Sequence, residues 1–159
     1  MQKISKEIQI SNNTLAILPA KEIEFQSYVL ENDATYNIKK TPLQIIKAAC
    51  INTDWSTFDG RREAVTYHTG FKQKVPIPIS IKYAIYAFPT HAINSHYCAW
   101  IFPRHILRIN KHGTNQSTIQ FKNGRTIILD ISYHILNNQL QRTFQIMNLV
   151  NMESKGHYQ

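Results

Sequence analysis

The chain has 159 residues and a mass of 18.5 kDa, room for one domain with a core of its own. Its 43% apolar and 18% charged content excludes a disordered chain, and no apolar run approaches the roughly 18 residues that span a bilayer. Lys and Arg number 18 against 10 Asp and Glu, and the excess is lopsided: residues 1–38 hold three cations and five acids, residues 39–159 fifteen and five.

In chain order, short runs with partial alternation come first: Glu7–Ile10, Thr14–Leu18, Phe25–Leu30 and Thr35–Ile38. Asn12-Asn13 and Asn32-Asp33 punctuate them, which predicts a meander of strands. The start MQKISKEIQISNN has lysines but no apolar segment, so no secretory signal is expected. Thr41-Pro42-Leu43-Gln44 then reads as a capping box with Pro at the first helical position. Leu43, Ile46, Ala49 and Cys50 follow on one face, predicting a helix over about 42–53 with Cys50 in the core. Residues 54–78 read as irregular, with Asp59-Gly60 as a turn.

Further strands are predicted at Ile85–Phe88, Ala99–Phe102 and His105–Ile109. Asn123-Gly124 between strand-like runs predicts a hairpin over 118–131. With a two-residue loop, Lys122 would lie opposite Arg125, Ile119 opposite Ile128 and Phe121 opposite Thr126. Two like charges side by side at the tip are accounted for by solvation or by an anion between them. Ser132 is expected to cap a last helix over about 132–148, burying Leu136, Leu140, Phe144 and Met147. The fold class is α+β: an antiparallel, β-rich single domain with two main helices and the Asn-Gly hairpin.

Several chemistries are tested against this layout. His91, His96, Cys98 and His105 lack the paired ligand spacing of a structural zinc site, so no metal is expected. Two cysteines, Cys50 and Cys98, cannot form a disulfide scaffold and read as reduced thiols of a cytoplasmic protein. Nucleophile elbows, zincin helices, phosphate loops and dinucleotide loops are all missing from the sequence. Clustered carboxylates for metal-dependent nuclease chemistry are missing too: after Glu63 the only acids are Asp130 and Glu153. No enzyme and no cofactor are expected.

The basic region is more informative. From Arg61 to Arg125 ten cations face one acid, Glu63. A one-signed field of this kind suits a polyanion, nucleic acid first. No helix with a Lys/Arg-lined polar face points to a membrane. Tyr83, Tyr86, Phe88, Tyr97, Trp100 and Phe102 interleave with the cations, fitting either base stacking or a buried strand. Candidate DNA contacts are Arg61 and Arg62 after the Asp59-Gly60 turn, Lys72 and Lys74, Arg104 and Arg108, and the hairpin cations Lys122 and Arg125.

Several segments together resemble the competence transcription factor ComK family of Gram-positive bacteria. They are Pro42-Leu43-Gln44-Ile45 with Cys50; Gly60-Arg61-Arg62; Phe88-Pro89-Thr90; Cys98-Ala99-Trp100-Ile101 with His105; and Phe121-Lys122-Asn123-Gly124-Arg125. Leu129-Asp130-Ile131-Ser132-Tyr133 and Gln139 with Arg142-Thr143 complete the set, in order, over about residues 14–145. The resemblance implies that residues 1–159 form one DNA-binding domain, a transcription activator of genes for DNA uptake. It implies recognition of paired AT-rich boxes in double-stranded DNA, largely through the minor groove, as a homo-oligomer in the cytoplasm on the nucleoid. Arg61, Arg62, Lys122, Arg125 and Arg142 are the matching basic positions. Ala99 stands where the family pattern has Gly. Longer relatives continue past the final helix, with a C-terminal part linked to an adaptor–protease system, a further partner the resemblance implies. Two other readings are a shortened paralogue that acts by protein contact with a full-length activator, and a single-strand or RNA-binding module.

Overall fold

A computed structural model describes residues 3–156 of the chain, with side chains described through residue 153. Its strands before the first helix are β1 (Ile4–Ser5), β2 (Thr14–Pro19), β3 (Ser27–Glu31) and β4 (Thr35–Ile38). Helices α1 (Pro42–Asp54) and α2 (Phe58–Thr69) follow, then β5 (Ile77–Ser80), β6 (Ile85–Pro89) and β7 (Trp100–Ile101). A 3-10 turn over Pro103–His105 leads into β8 (Ile106–His112), β9 (Gln116–Phe121), β10 (Thr126–Leu129) and the last helix, α3 (Tyr133–Gly156). The first seven strands form one sheet in the order β1-β4-β3-β2-β7-β6-β5, and β10-β9-β8 form a second. Only β1 and β4 pair in parallel among the described residues, so the class is α+β and β-rich, as read from the sequence.

The long sheet is apolar on both faces, and this sets the layering. Ile17, Ala87 and Trp100 point into one cluster, where α1 and α2 cover them with Ile46, Cys50, Phe58 and Val65. Ala16, Phe88 and Ile101, one residue out of phase, point into the other, against Ile119 and Phe121 of the small sheet and Leu136 and Leu140 of α3. The period of two sends neighbouring residues to opposite faces, so a central strand such as β6 reads as a continuous apolar run. Of the interleaved aromatics, Tyr86, Phe88, Trp100 and Phe102 lie in these clusters, while Tyr83 and Tyr97 are exposed.

The capping box of α1 forms as its sequence predicts: Thr41 Oγ1 accepts from Gln44 N at 3.2 Å and Gln44 Oε1 from Thr41 N at 3.0 Å. Four expectations are corrected. Residues 7–10 are not a strand. Pairing with β4 ends where Lys39 N donates to Ser5 O, and the partner strand then turns away into α1. Ile8 and Ile10 pack on the first cluster instead. The stretch read as irregular contains α2. Thr57 caps it by accepting from Gly60 N at 3.0 Å, and Gly70 ends it at φ 79°. Its buried positions are Phe58, Arg61 and Val65, so a cation sits in the middle of the stripe and hides the helical period.

The hairpin register also differs. Gly124 N donates to Phe121 O at 3.0 Å and Phe121 N to Arg125 O at 2.8 Å, with Gly124 at φ 93°. This is a three-residue loop with a bulge. Ile119 therefore faces Ile127, and Arg125 faces Phe121; Lys122 is in the loop and not opposite Arg125. Finally, α3 runs to Gly156, and its buried face is rotated. Gln139 and Thr143 are buried and Phe144 is exposed. Thr143 Oγ1 donates to Gln139 O and Gln139 Nε2 to Pro89 O, so both polar groups are satisfied inside.

Thr57→Ala removes the cap of α2 and is expected to lower stability by about 1 kcal/mol. A urea titration of both proteins measures it; in an irregular segment the same change would leave the midpoint where it was.

Candidate nucleic-acid interface

The candidate cations divide by what their side chains touch. Arg61 is 8% exposed. Its Nη1 donates to Pro78 O at 2.9 Å and to Ile79 O, its Nη2 to Cys50 O, and its Nε to Ser56 Oγ at 3.0 Å. The Asp54 carboxylate lies 3.9 Å away. Arg61 thus ties α1, α2 and β5 together from inside a helix, where the sequence suggests a DNA contact after a turn in an irregular stretch. Arg125 is engaged in a similar way. Its Nη1 donates to Glu31 O and Ala34 O at 2.7 and 2.9 Å, and its Nη2 to Thr35 Oγ1 at 2.6 Å. Asn123 Nδ2 adds a bond to Asn32 O, pinning the hairpin tip to the β3–β4 turn.

Arg142 holds a loop. Its Nη1 donates to Gln139 Oε1 at 2.5 Å and Lys74 O at 3.3 Å, and its Nη2 to Gln73 O at 3.0 Å. The guanidinium also lies 4.2 Å over the Phe71 ring. Gln139 Nε2 takes Lys74 O and Pro89 O together. The segment from Gly70 to Val75 is therefore clamped from α3, with Lys74 held at φ 49°. On that segment Lys72 is exposed and Lys74 half-buried.

Lys72, Lys74 and Arg62 converge on a groove of about 940 Å³, with His91 beside them and Asn115 and Asp130 toward the small sheet. Arg62 is partly exposed, 3.5 Å from the Asp59 carboxylate and 5.7 Å over the Phe58 ring. A single solvated pair of this length holds a side chain weakly. The wall of the groove is firmer. Ala99 N donates to Thr90 Oγ1 at 2.9 Å, Thr90 Oγ1 contacts His91 Nδ1 at 2.8 Å, and His91 Nε2 contacts Asp130 O at 3.2 Å. A neutral His91 in this chain carries its proton on Nε2, because a carbonyl accepts there. Thr90, His91 and Gln139 are not among the DNA contacts the sequence suggests, although Thr90 and Gln139 stand in segments that carry the family resemblance.

Arg104, Arg108 and Lys122 lie apart from that groove, at the other end of the small sheet. Arg104 Nη1 donates to Asn12 Oδ1 and Tyr83 O. Lys122 N donates to His105 O, which sets the hairpin tip beside the 3-10 turn, and Arg108 lies opposite Gln120. Burial lowers the His105 pKa from 6.5, with the Arg104 and Lys122 charges acting the same way and the Asn12 carbonyl against them.

His91, His96, Cys98 and His105 are not gathered into a ligand set; among the described residues no three His, Cys, Asp or Glu could hold a metal ion together. Burial raises both thiols, Cys50 and Cys98, the direction away from a reactive thiolate. No helix among the described residues is long and apolar enough to cross a membrane.

A family model described as ComK protein matches residues 5–155, and the chain belongs to that family. Over 137 residues it is 30% identical to the competence transcription factor of Bacillus subtilis (strain 168), covering 85% of this chain and 70% of that one. No solved structure matches the chain.

Arg61→Met should cost about 3 kcal/mol, because buried carbonyls lose their donor. Arg61→Lys should recover less than half of it, since an ammonium cannot fork. Denaturant midpoints of the three proteins test this. A second expectation concerns pH. With the folded His105 pKa below 6.5, the unfolded chain binds more protons, so stability is full above 6.5 and falls as pH drops through it. Melting between pH 7.5 and 5.5 should show a smaller loss in His105→Gln than in wild type.

Proposed function

We propose that this chain is a DNA-binding transcription activator of competence genes that recognises AT-rich duplex DNA. The observation that carries the reading is the groove where Lys72, Lys74 and Arg62 converge on a loop clamped by Arg142 and Gln139. Cations on a braced segment are pre-organised for phosphates, and phosphate contacts set the position of a protein on a duplex. The surrounding field favours the same partner: from Ala64 to Leu129 the sequence has no Asp or Glu. Family membership and the name of the Bacillus subtilis relative support the regulatory role. In this reading the protein acts by binding and not by catalysis, and paired boxes are occupied by two or more copies.

A second reading, action through contact with a full-length activator, is favoured by an apolar groove of about 370 Å³ between α2 and the C-terminal half of α3. Pro78, Ile81, Leu149 and Val150 line it. Duplex binding by the isolated protein separates the two readings.

Gel shifts with AT-rich and GC-rich duplexes of equal length, at several salt concentrations, test the proposal. Wild type should prefer the AT-rich duplex and weaken steeply with salt. Lys72→Gln with Lys74→Asn should bind both duplexes more weakly and lose about two units of log–log salt slope. Asn is chosen at position 74 because it tolerates positive φ. A folded variant with an unchanged slope moves the phosphate contacts away from this groove.

A further inference from the structure

We infer that the solvent face of the β8–β9–β10 sheet contacts the base edges of bound DNA. The inference rests on the DNA-binding reading and names the surface that discriminates between sequences. The pairing register orders this face into rows. Arg108, Gln120 and Thr126 lie abreast, then Asn110, Thr118 and Ile128, then His112 and Gln116. All are exposed or half-exposed, while the alternate residues Ser117, Ile119 and Phe121 of the central strand are buried. One side of the sheet is core and the other is uncovered.

Three properties of this face point to nucleic acid. Apart from Ile128 and the imidazole of His112, its side chains are amides, hydroxyls and a guanidinium, the groups that bond base edges and sugar–phosphate oxygens. Its charge is complementary to a polyanion: Arg108 is within it and Lys122 sits at the tip. One acid, Asp130, stands beside Gln116 at the edge of the face, and its carboxylate is held by Gln116 Nε2 at 2.6 Å. Its spacing also fits. Successive rows are two residues apart, about 7 Å, which is about two base-pair steps of 3.4 Å. The face is continuous at one end with the basic groove, which Asn115 of the β8–β9 turn lines together with Lys72 and Lys74. The groove holds phosphates, and the adjoining sheet meets the bases.

The test uses the full chain and duplex DNA. Asn110→Asp with Gln120→Glu keeps the shape of both side chains and places two carboxylates on the face. Asn148→Asp with Gln145→Glu places the same charge on the exposed side of α3. The face variant should lose at least about ten-fold in affinity for every duplex, and the α3 variant no more than about three-fold. Asn110→Ala with Thr118→Ala and Gln120→Ala should keep the salt slope and lose about ten-fold in the ratio of AT-rich to GC-rich affinity. Should either multiple variant fail to fold, Gln120→Glu alone, which gains a cross-strand partner in Arg108, carries the comparison. Wild-type binding with the folded face variant equal to the α3 variant overturns this inference and leaves DNA binding standing. A wild type that binds no duplex overturns both.

Discussion

Guanidinium groups that donate to backbone carbonyls of other elements hold this molecule together. Arg61 bonds Cys50, Pro78 and Ile79 and so ties two helices to the edge strand of the long sheet. Arg125 bonds Glu31 and Ala34 and joins the small sheet to the large one. Arg142 bonds Gln73 and Lys74 and ties α3 to the loop after α2. Each joins segments that are apart in sequence. A planar fork with five donors can serve two or three carbonyls at once, which an ammonium cannot. Removing Arg61 takes the donor from two buried carbonyls, those of Cys50 and Ile79, at once.

This division of labour changes how the basic charge is read. Arg61 and Arg125, which look like DNA contacts in the sequence, are bonded into the scaffold, and Arg142 holds the loop that carries Lys72 and Lys74. The buried charges still add to the field, because a charge in a low-dielectric interior projects into solvent. Scaffold and partner attraction therefore come from the same residues. The groove gains stiffness as well, since its loop cannot shift without breaking bonds from Gln139 and Arg142.

The two-sided long sheet has a further consequence. Helices α1 and α2 cover one face, and the small sheet with the first half of α3 covers the other. The small sheet uses only its inner face for this purpose. Its outer face is left open and, Ile128 apart, polar, with few acids to repel an anion. An uncovered antiparallel face is ordinary in itself. Here it adjoins the groove at Asn115 and Asp130, so two chemically different surfaces meet along one border.

The sequence by itself determined what local rules control. Its capping box sets the start of α1, Asn123-Gly124 sets the reversal between β9 and β10, and the alternation of the strands implies a β-rich α+β domain. The charge run after Arg61 implies a polyanionic partner, and the ordered short segments carry the family. Tertiary structure decided whatever depends on a residue distant in the chain. Helix α2 was hidden because Arg61 occupies a buried position, which is tolerable only when carbonyls from α1 and β5 converge on it. The rotated face of α3 was hidden because Gln139 and Thr143 can be buried only with their polar atoms satisfied, one by Pro89 and Lys74 and the other within the helix. The hairpin register turned on whether Gly124 makes a bulge, a choice settled by docking the tip on Glu31 and Ala34. A hydrogen-bond partner 50 or 94 residues away leaves no local pattern, so these positions become legible only when the chain is folded.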